Sequence, residues 1–182
     1  MKRLSLVLAI AGMCTFDLAT GSPAFALETP EAQMEASDAA SQARIDMVQA
    51  FGGKTLRPGQ YVWRDVPADG RQRVVISLSD QLAYLYSGDT LVAVSTISTG
   101  RFDKPSPAGI FSVLDKKPFY RSNRYDNAPM PWMQRIDQYG IALHAGFNPG
   151  YPASHGCIRL PAAFAKKLYT VTDVGTPIYI GA

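Results

Sequence analysis

The sequence predicts a mainly β protein built as a single domain. Two observations carry that expectation. From about residue 71 onward, apolar residues recur with a period of two rather than 3.6. Clusters of Gly, Pro, Ser and Asp cut this stretch into short runs, leaving room for only one segment of helical spacing near the C-terminus. A domain of about 110 residues suffices for one hydrophobic core. No internal repeat or second globular unit is evident.

Residues 28–50 are rich in Ala, Glu, Gln and Ser, and Ile45, Met47, Val48 and Phe51 come only toward the end. The stretch reads as a disordered or loosely helical leader. Gly52-Gly53 and Pro58-Gly59 punctuate the next residues, Tyr61-Val62-Trp63 is a candidate short strand, and Pro67-Ala68-Asp69-Gly70 is a turn. Val74, Ile76 and Leu78 then alternate with Val75, Ser77 and Ser79, which is strand spacing. Ser79-Asp80-Gln81 and Ser87-Gly88-Asp89 separate two further runs, 82–86 and 90–99, and the three form a predicted meander. Residues 110–114 and 140–144 are two more expected strands. Pro161 suits the first turn of a helix through Phe164, Leu168 and Tyr169, and Gly175-Thr176-Pro177 turns into a last strand at 178–180.

The N-terminus bears on the compartment. Lys2 and Arg3 precede an apolar run over residues 4–14, and Ala24-Phe25-Ala26 offers small residues to a signal peptidase, so residues 1–26 read as a cleaved signal peptide. The run is shorter than a membrane span, and Asp17 with Gly21-Ser22-Pro23 interrupts it; an uncleaved anchor and a lipidated Cys14 are the weaker alternatives. Secretion to the periplasm or cell envelope is the expected destination, with no stable membrane span after cleavage. Residues 27–71 are then a leader or linker, and 72–181 the main domain.

Removal of Lys2, Arg3 and Asp17 lowers the formal charge of +3 by one. A nearly neutral chain without a basic stripe is no nucleic-acid binder. Cleavage also removes Cys14, leaving Cys157 as the sole thiol in an oxidising compartment, without a possible internal disulfide. Such a thiol is either buried as a small hydrophobe, paired between chains, or reactive.

The segment from Ile141 to Leu160 favours reactivity. It contains both histidines of the chain, His144 and His155, together with Cys157. A thiol attacks acyl carbons as thiolate and needs an imidazole to take its proton. Gly156 permits a tight turn and close approach of a carbonyl, and backbone N–H groups at Gly156 and Cys157 are candidate oxyanion donors. Either histidine is a candidate base, with His144, at the end of an expected strand, slightly favoured. A zinc site is the rival, but the segment has neither paired cysteines nor His-x-x-x-His spacing, and no carboxylate lies between His144 and Cys157; no metal is expected.

Ser154-His155-Gly156-Cys157-Ile158-Arg159 with the upstream His144 resembles the signature of the L,D-transpeptidase (YkuD-type) catalytic domain. The similarity extends to the strands over 74–86, to Ser98-Thr99-Gly100 and to Pro105-Ser106-Pro107-Ala108-Gly109-Ile110-Phe111, and covers about residues 72–180. It implies a YkuD-like fold, a mainly β, β-sandwich or mixed-sheet catalytic domain with one or two short helices, with Cys157 as nucleophile, His144 as general base, and the Ala145 carbonyl as orienter of the imidazole. His155, Ser154 and Gly156 become supporting residues. Arg159 and Tyr151 are the implied substrate-binding residues, Arg159 because a guanidinium can hold a stem-peptide carboxylate in a bidentate fork.

The implied reaction is acyl transfer on peptidoglycan tetrapeptide stems. It expels D-alanine, forms a thioester, and resolves it with a diaminopimelate amine, a protein amine or water, without an external cofactor. A hydrolase on the same scaffold and a silent wall-binding module are the alternatives. Two departures bear on the substrate lid: the spacing from His144 to Cys157 is shorter than in many members, and Arg159-Leu160 stands where some have asparagine. Tyr120, Tyr125, Trp132, Tyr139, Phe147 and Tyr151 are candidates for a pocket wall, although core packing and loop anchoring are commoner fates of such residues. Arg121 and Arg124 are either contacts for an acidic glycan-peptide or members of a solvated loop.

Overall fold

The computed structural model describes residues 26–65 and 70–182. The expected signal peptide lies outside this range except for Ala26, as does the turn expected at 67–70 except for Gly70. In chain order the elements are α1 (Pro30–Phe51), β1 (Tyr61–Trp63), β2 (Gln72–Ser77), β3 (Leu82–Ser87), β4 (Thr90–Thr96), β5 (Gly109–Ser112), β6 (Asp115–Lys117), β7 (Met133–Arg135), β8 (Ala142–Ala145), β9 (Ile158–Leu160), α2 (Ala162–Val171) and β10 (Pro177–Gly181). The fold is mainly β with mixed sheets and two helices, as the sequence predicts. One helix is not short, since α1 runs for 22 residues.

The strands form two sheets. The larger has the order β1-β4-β3-β2-β10-β5, and the smaller has the order β6-β7-β8-β9. The meander β2-β3-β4 is antiparallel, whereas β10 joins β2 in parallel and β9 joins β8 in parallel. One core lies between the sheets and under α2: Val74, Ile76, Leu85, Phe111, Leu143, Ile158, Leu160, Phe164 and Leu168 belong to it, each with at most 1% exposure. The other face of the large sheet packs on α1, where Ala40, Ala43 and Met47 meet Val75, Tyr84 and Val94. All six residues of β3 are buried because both faces of its sheet are covered.

The leader is thus neither disordered nor loose. Thr29 Oγ1 accepts from the Ala32 N–H at the helix start, and Gly52, at φ 69°, closes its end through a bond from its N–H to the Val48 carbonyl. The buried stripe is Ala32, Ala36, Ala40, Ala43 and Met47. Such small side chains let the helix backbone sit close to β10: a Cβ on Gly181 would lie 2.5 Å from the Ala36 carbonyl oxygen. The Tyr86 hydroxyl donates to Asp46 at 2.6 Å and fixes the helix to β3. Ile45 and Val48, the apolar residues that stand out in the sequence, are about half exposed, at 51% and 53%.

Candidate active site

The small sheet positions the candidate site residues. In β8, Leu143 and Ala145 turn into the core, so alternation turns Ala142 and His144 to the other face. The parallel register with β9 pairs Leu143 with Ile158 and His144 with Arg159. Cys157, one residue before Ile158, is therefore level with Ala142 and shares the outer face with His144 and Arg159. Ladder spacing makes His144 and Cys157 diagonal neighbours, about 8 Å apart between Cα atoms, within side-chain reach. Both line one cavity of about 880 Å³.

His144 is 7% exposed. Its Nδ1 lies 2.8 Å from the Ala145 carbonyl oxygen, an acceptor only, so Nδ1 carries the proton and Nε2 the lone pair. Burial lowers the imidazole pKa to about 4, against a smaller raising effect of that carbonyl bond. Burial raises the Cys157 thiol above its ordinary value, with the Ala142 N–H as the main opposing influence and the Asp137 charge adding to the rise. Both groups therefore rest neutral near pH 7 rather than as a standing ion pair. The Cys157 Sγ lies 3.8 Å from the Gly140 carbonyl.

The turn carrying Cys157 is braced from within and from below. Ser154 is 1% exposed; its Oγ donates to the Cys157 carbonyl and accepts from the Gly156 N–H at 3.1 Å. That bond corrects one expectation: the Gly156 N–H is occupied by Ser154, leaving the Cys157 N–H as the remaining oxyanion candidate of the two. Gly156 sits at φ 111°, and a Cβ there would lie 2.6 Å from Ile141 Cδ1, so both conformation and space call for glycine. Ser106 Oγ donates to the Gly156 carbonyl at 2.7 Å and accepts from the Gly100 N–H at 2.9 Å, tying the Pro-Ser-Pro segment to the turn. The Ser154 and Ala153 N–H groups both reach the Thr99 carbonyl at 2.9 Å.

His155 faces away from this pair. Its ring stacks on Tyr125, with centroids 4.4 Å apart and planes at 14°, and its Nε2 lies 3.0 Å from Arg101 Nη1. A guanidinium only donates, so Nε2 accepts. Arg101 is held in turn by Asp103. His155 thus fastens the loop over 121–128 to the loop over 101–104 at the cavity mouth.

Of the residues named from sequence, Cys157, His144, Ser154, His155, Ala145 and Arg159 line the cavity. Tyr151 does not. Its side chain is 61% exposed, and only its carbonyl is engaged, by Ser98 Oγ. The 148–151 turn carries it away from the cavity and against Pro58, which would sit 2.5 Å from a Cβ on Gly150. Tyr120, Tyr125, Tyr139, Phe147 and Arg124 do line the cavity. Trp132 packs instead on Phe119 and Tyr169, and Arg121 bonds to the Asn127 carbonyl.

Sequence reading missed Ser106 as a brace, and it missed Asp137. The latter is 5% exposed and accepts from the Tyr139 and Ile141 N–H groups, shaping the turn whose Gly140 carbonyl faces the sulfur. An Asp-x-x-Gly turn ahead of a strand was the available signal. Among the described residues, no group of three or more His, Cys, Asp or Glu side chains is placed to hold a metal, and no helix is long and apolar enough to cross a membrane.

The fold is a mixed-sheet sandwich with a thiol and an oriented imidazole on neighbouring strands, both lining one cavity. Comparison with known proteins gives the family. Residues 71–180 match the L,D-transpeptidase catalytic domain, YkuD, and the chain belongs to that family. It is 30% identical over 112 residues to a putative L,D-transpeptidase YkuD of Bacillus licheniformis, covering 59% of this chain and 64% of that protein. An L,D-transpeptidase from Mycobacterium smegmatis shares the fold at TM-score 0.58 and 20% identity, covering 62% of this chain and 59% of that one. L,D-transpeptidase 3 from Mycobacterium tuberculosis, solved with a faropenem-derived adduct, aligns at TM-score 0.56 and 21% identity, covering 62% and 60%. This chain thus spans about three fifths of the length of these relatives.

Proposed function

We propose that this chain is an exported L,D-transpeptidase acting on peptidoglycan tetrapeptide stems in the periplasm or cell envelope, through a thioester on Cys157. The observation that carries the reading is the diagonal pairing of Cys157 with His144 beneath the cavity, with Nδ1 of the imidazole tied to Ala145. The signal-like residues 1–26 support export.

In the first half-reaction, His144 Nε2 takes the thiol proton as Sγ bonds to the carbonyl carbon of the diaminopimelate residue. The Cys157 N–H faces the developing oxyanion. Collapse breaks the C–N bond, and the imidazolium returns the proton to the departing D-alanine amine. In the second half-reaction an acceptor amine attacks the thioester carbonyl, loses a proton to His144, and Sγ leaves to regain it. A diaminopimelate amine gives a 3–3 crosslink and a protein amine gives wall attachment.

Purified protein incubated with disaccharide-tetrapeptide, followed by mass spectrometry, tests this. A Cys157 acyl-enzyme lighter than the sum by one D-alanine, followed by a crosslinked dimer, is expected. Tripeptide alone would assign a carboxypeptidase on the same scaffold, and an unmodified Cys157 with intact substrate would end the proposal. A faropenem- or carbapenem-type acyl donor is expected to add to Cys157 and not to Cys157→Ala.

A further inference from the structure

The charges around the cavity are one-sided. Its lining includes Arg124, Arg135 and Arg159 and no Asp or Glu. Arg135 holds a particular place in that lining. It ends β7, and the antiparallel register sets it opposite Ala142, which is level with Cys157. Gln134 turns inward, where its Oε1 accepts from the Thr172 hydroxyl, so Arg135 shares the outer face with Ala142, His144, Cys157 and Arg159.

On this face the ladder works as a grid. One row holds Arg135, Ala142 and Cys157; the next holds Met133, His144 and Arg159, so the line from His144 to Cys157 leaves Arg159 on one side and Arg135 on the other. Neither guanidinium has a carboxylate within ion-pair distance among the described residues. Asp115, opposite Arg135 in the ladder, pairs with Lys117, and the Asp137 carboxylate is committed to backbone N–H groups. Arg135 gives one N–H, from Nη1, to the Asp137 carbonyl at 3.0 Å, which fixes its stem and leaves other donors for a ligand. Both arginines are half-buried. A half-buried guanidinium that lines a cavity without a counter-charge is matched to an anion supplied by the ligand.

We infer that Arg135 is a specificity-determining residue that, with Arg159 across the His144–Cys157 line, selects acyl donors carrying a free carboxylate on each side of the scissile carbonyl. One carboxylate belongs to the leaving residue and the other to the side chain of the residue that becomes the acyl group. Donors amidated at either position are poorer substrates. The inference rests on the transpeptidase reading and adds which chemical form of the stem the site accepts.

The test uses four tetrapeptide donors, with the diaminopimelate side-chain carboxylate free or amidated and the terminal residue D-alanine or D-alaninamide. Single-turnover formation of the acyl-enzyme is followed by intact mass in the wild type, Arg135→Gln, Arg135→Lys and Arg159→Gln. A charge-assisted hydrogen bond to carboxylate converts to about 10- to 100-fold in the specificity constant. Each amidation should slow the wild type by that factor. Arg135→Gln should lose the sensitivity to one amidation only, Arg159→Gln to the other, and Arg135→Lys should keep part of the first. Wild type indifferent to both amidations overturns the inference without touching the function, and so does an Arg135→Gln variant slowed equally on all four donors. Should that variant fail to fold, Arg135→Lys and the wild-type comparison still decide. Absence of acyl-enzyme from every donor overturns the inference and the transpeptidase reading together.

Discussion

The two sheets divide the work of the molecule. The six-stranded sheet has a centre of longer strands, β2, β3, β4 and β10, and is covered on one face by α1 and on the other by the smaller sheet and α2; the residues of that centre are mostly apolar and deeply buried. The four-stranded sheet has strands of three or four residues and only one face in the core; its other face carries Cys157, His144, Arg135 and Arg159. A sheet packed on both sides has no free face for a substrate, whereas the small sheet, whose outer face is covered only in part by the cluster of Met130, Met133 and Ala142, offers a grid of side chains to a cavity. The main core and the proposed chemistry therefore sit on separate surfaces, and substitutions should separate them.

The largest effect belongs to Cys157→Ala, which should reduce acyl-enzyme formation and D-alanine release to background with an unchanged far-UV spectrum. Residual release from the folded variant would break the assignment of chemistry to this face. His144→Ala should slow acylation by about two to four orders of magnitude, the usual contribution of a positioned acid–base group, without a large change in melting temperature. His155→Ala should cost far less. Its ring fastens the mouth loops rather than touching the thiol, so a defect of about tenfold or below is expected, larger in KM than in kcat; a loss matching that of His144→Ala would reverse the two roles.

The opposite class of effect should appear on the other side of the large sheet. Asp46→Ala, which strands the Tyr86 hydroxyl, should cost about 1–3 kcal/mol of stability while leaving kcat of the folded protein unchanged. Gly181→Ala should do the same by pressing a methyl against the Ala36 carbonyl of α1. Melting curves paired with kcat measurements check both, and a kcat that falls with either substitution would show that the two sheets do not act separately.

A smaller effect concerns pH. His144 is held neutral by burial, with a folded pKa of about 4 against an ordinary 6.5. The unfolded chain then binds more protons than the native one between these values. Stability from this group is complete above about 6.5 and declines as pH falls toward 4. Denaturant midpoints at pH 7 and pH 5 should show the wild type losing more than His144→Gln; equal losses would contradict a buried neutral imidazole.

The legibility of the sequence tracks the same division. The meander β2-β3-β4 is readable because Val74, Ile76 and Leu78 keep a period of two between clear turn clusters. The helix α1 is readable only as one of two alternatives, loosely helical or disordered, because its buried stripe is mostly alanine, which carries little hydrophobic contrast, while the conspicuous Ile45 and Val48 face outward. The strands β6, β7 and β9 have three residues each, too few for a period to show. Cys157 and His144 stand out through the rarity of their residue types, and Tyr151 misleads because nearness in sequence to the motif is not nearness to the cavity. Arg135 becomes meaningful only once the register is known, since nothing in Met-Gln-Arg says which neighbour lies opposite.

The pairing at the start of the described chain bears on solubility. Leu27 exchanges two backbone hydrogen bonds with Ile110, at 2.8 and 2.9 Å, along the outer side of β5, and Gly109 leaves room for the contact, since a Cβ there would meet the Leu27 carbonyl oxygen at 2.2 Å. An exposed strand edge is a template for unwanted pairing with other chains. By laying one residue against the β5 edge, the segment ahead of α1 shields an adhesive border of the large sheet, and the border at the far end, β1, is only three residues long.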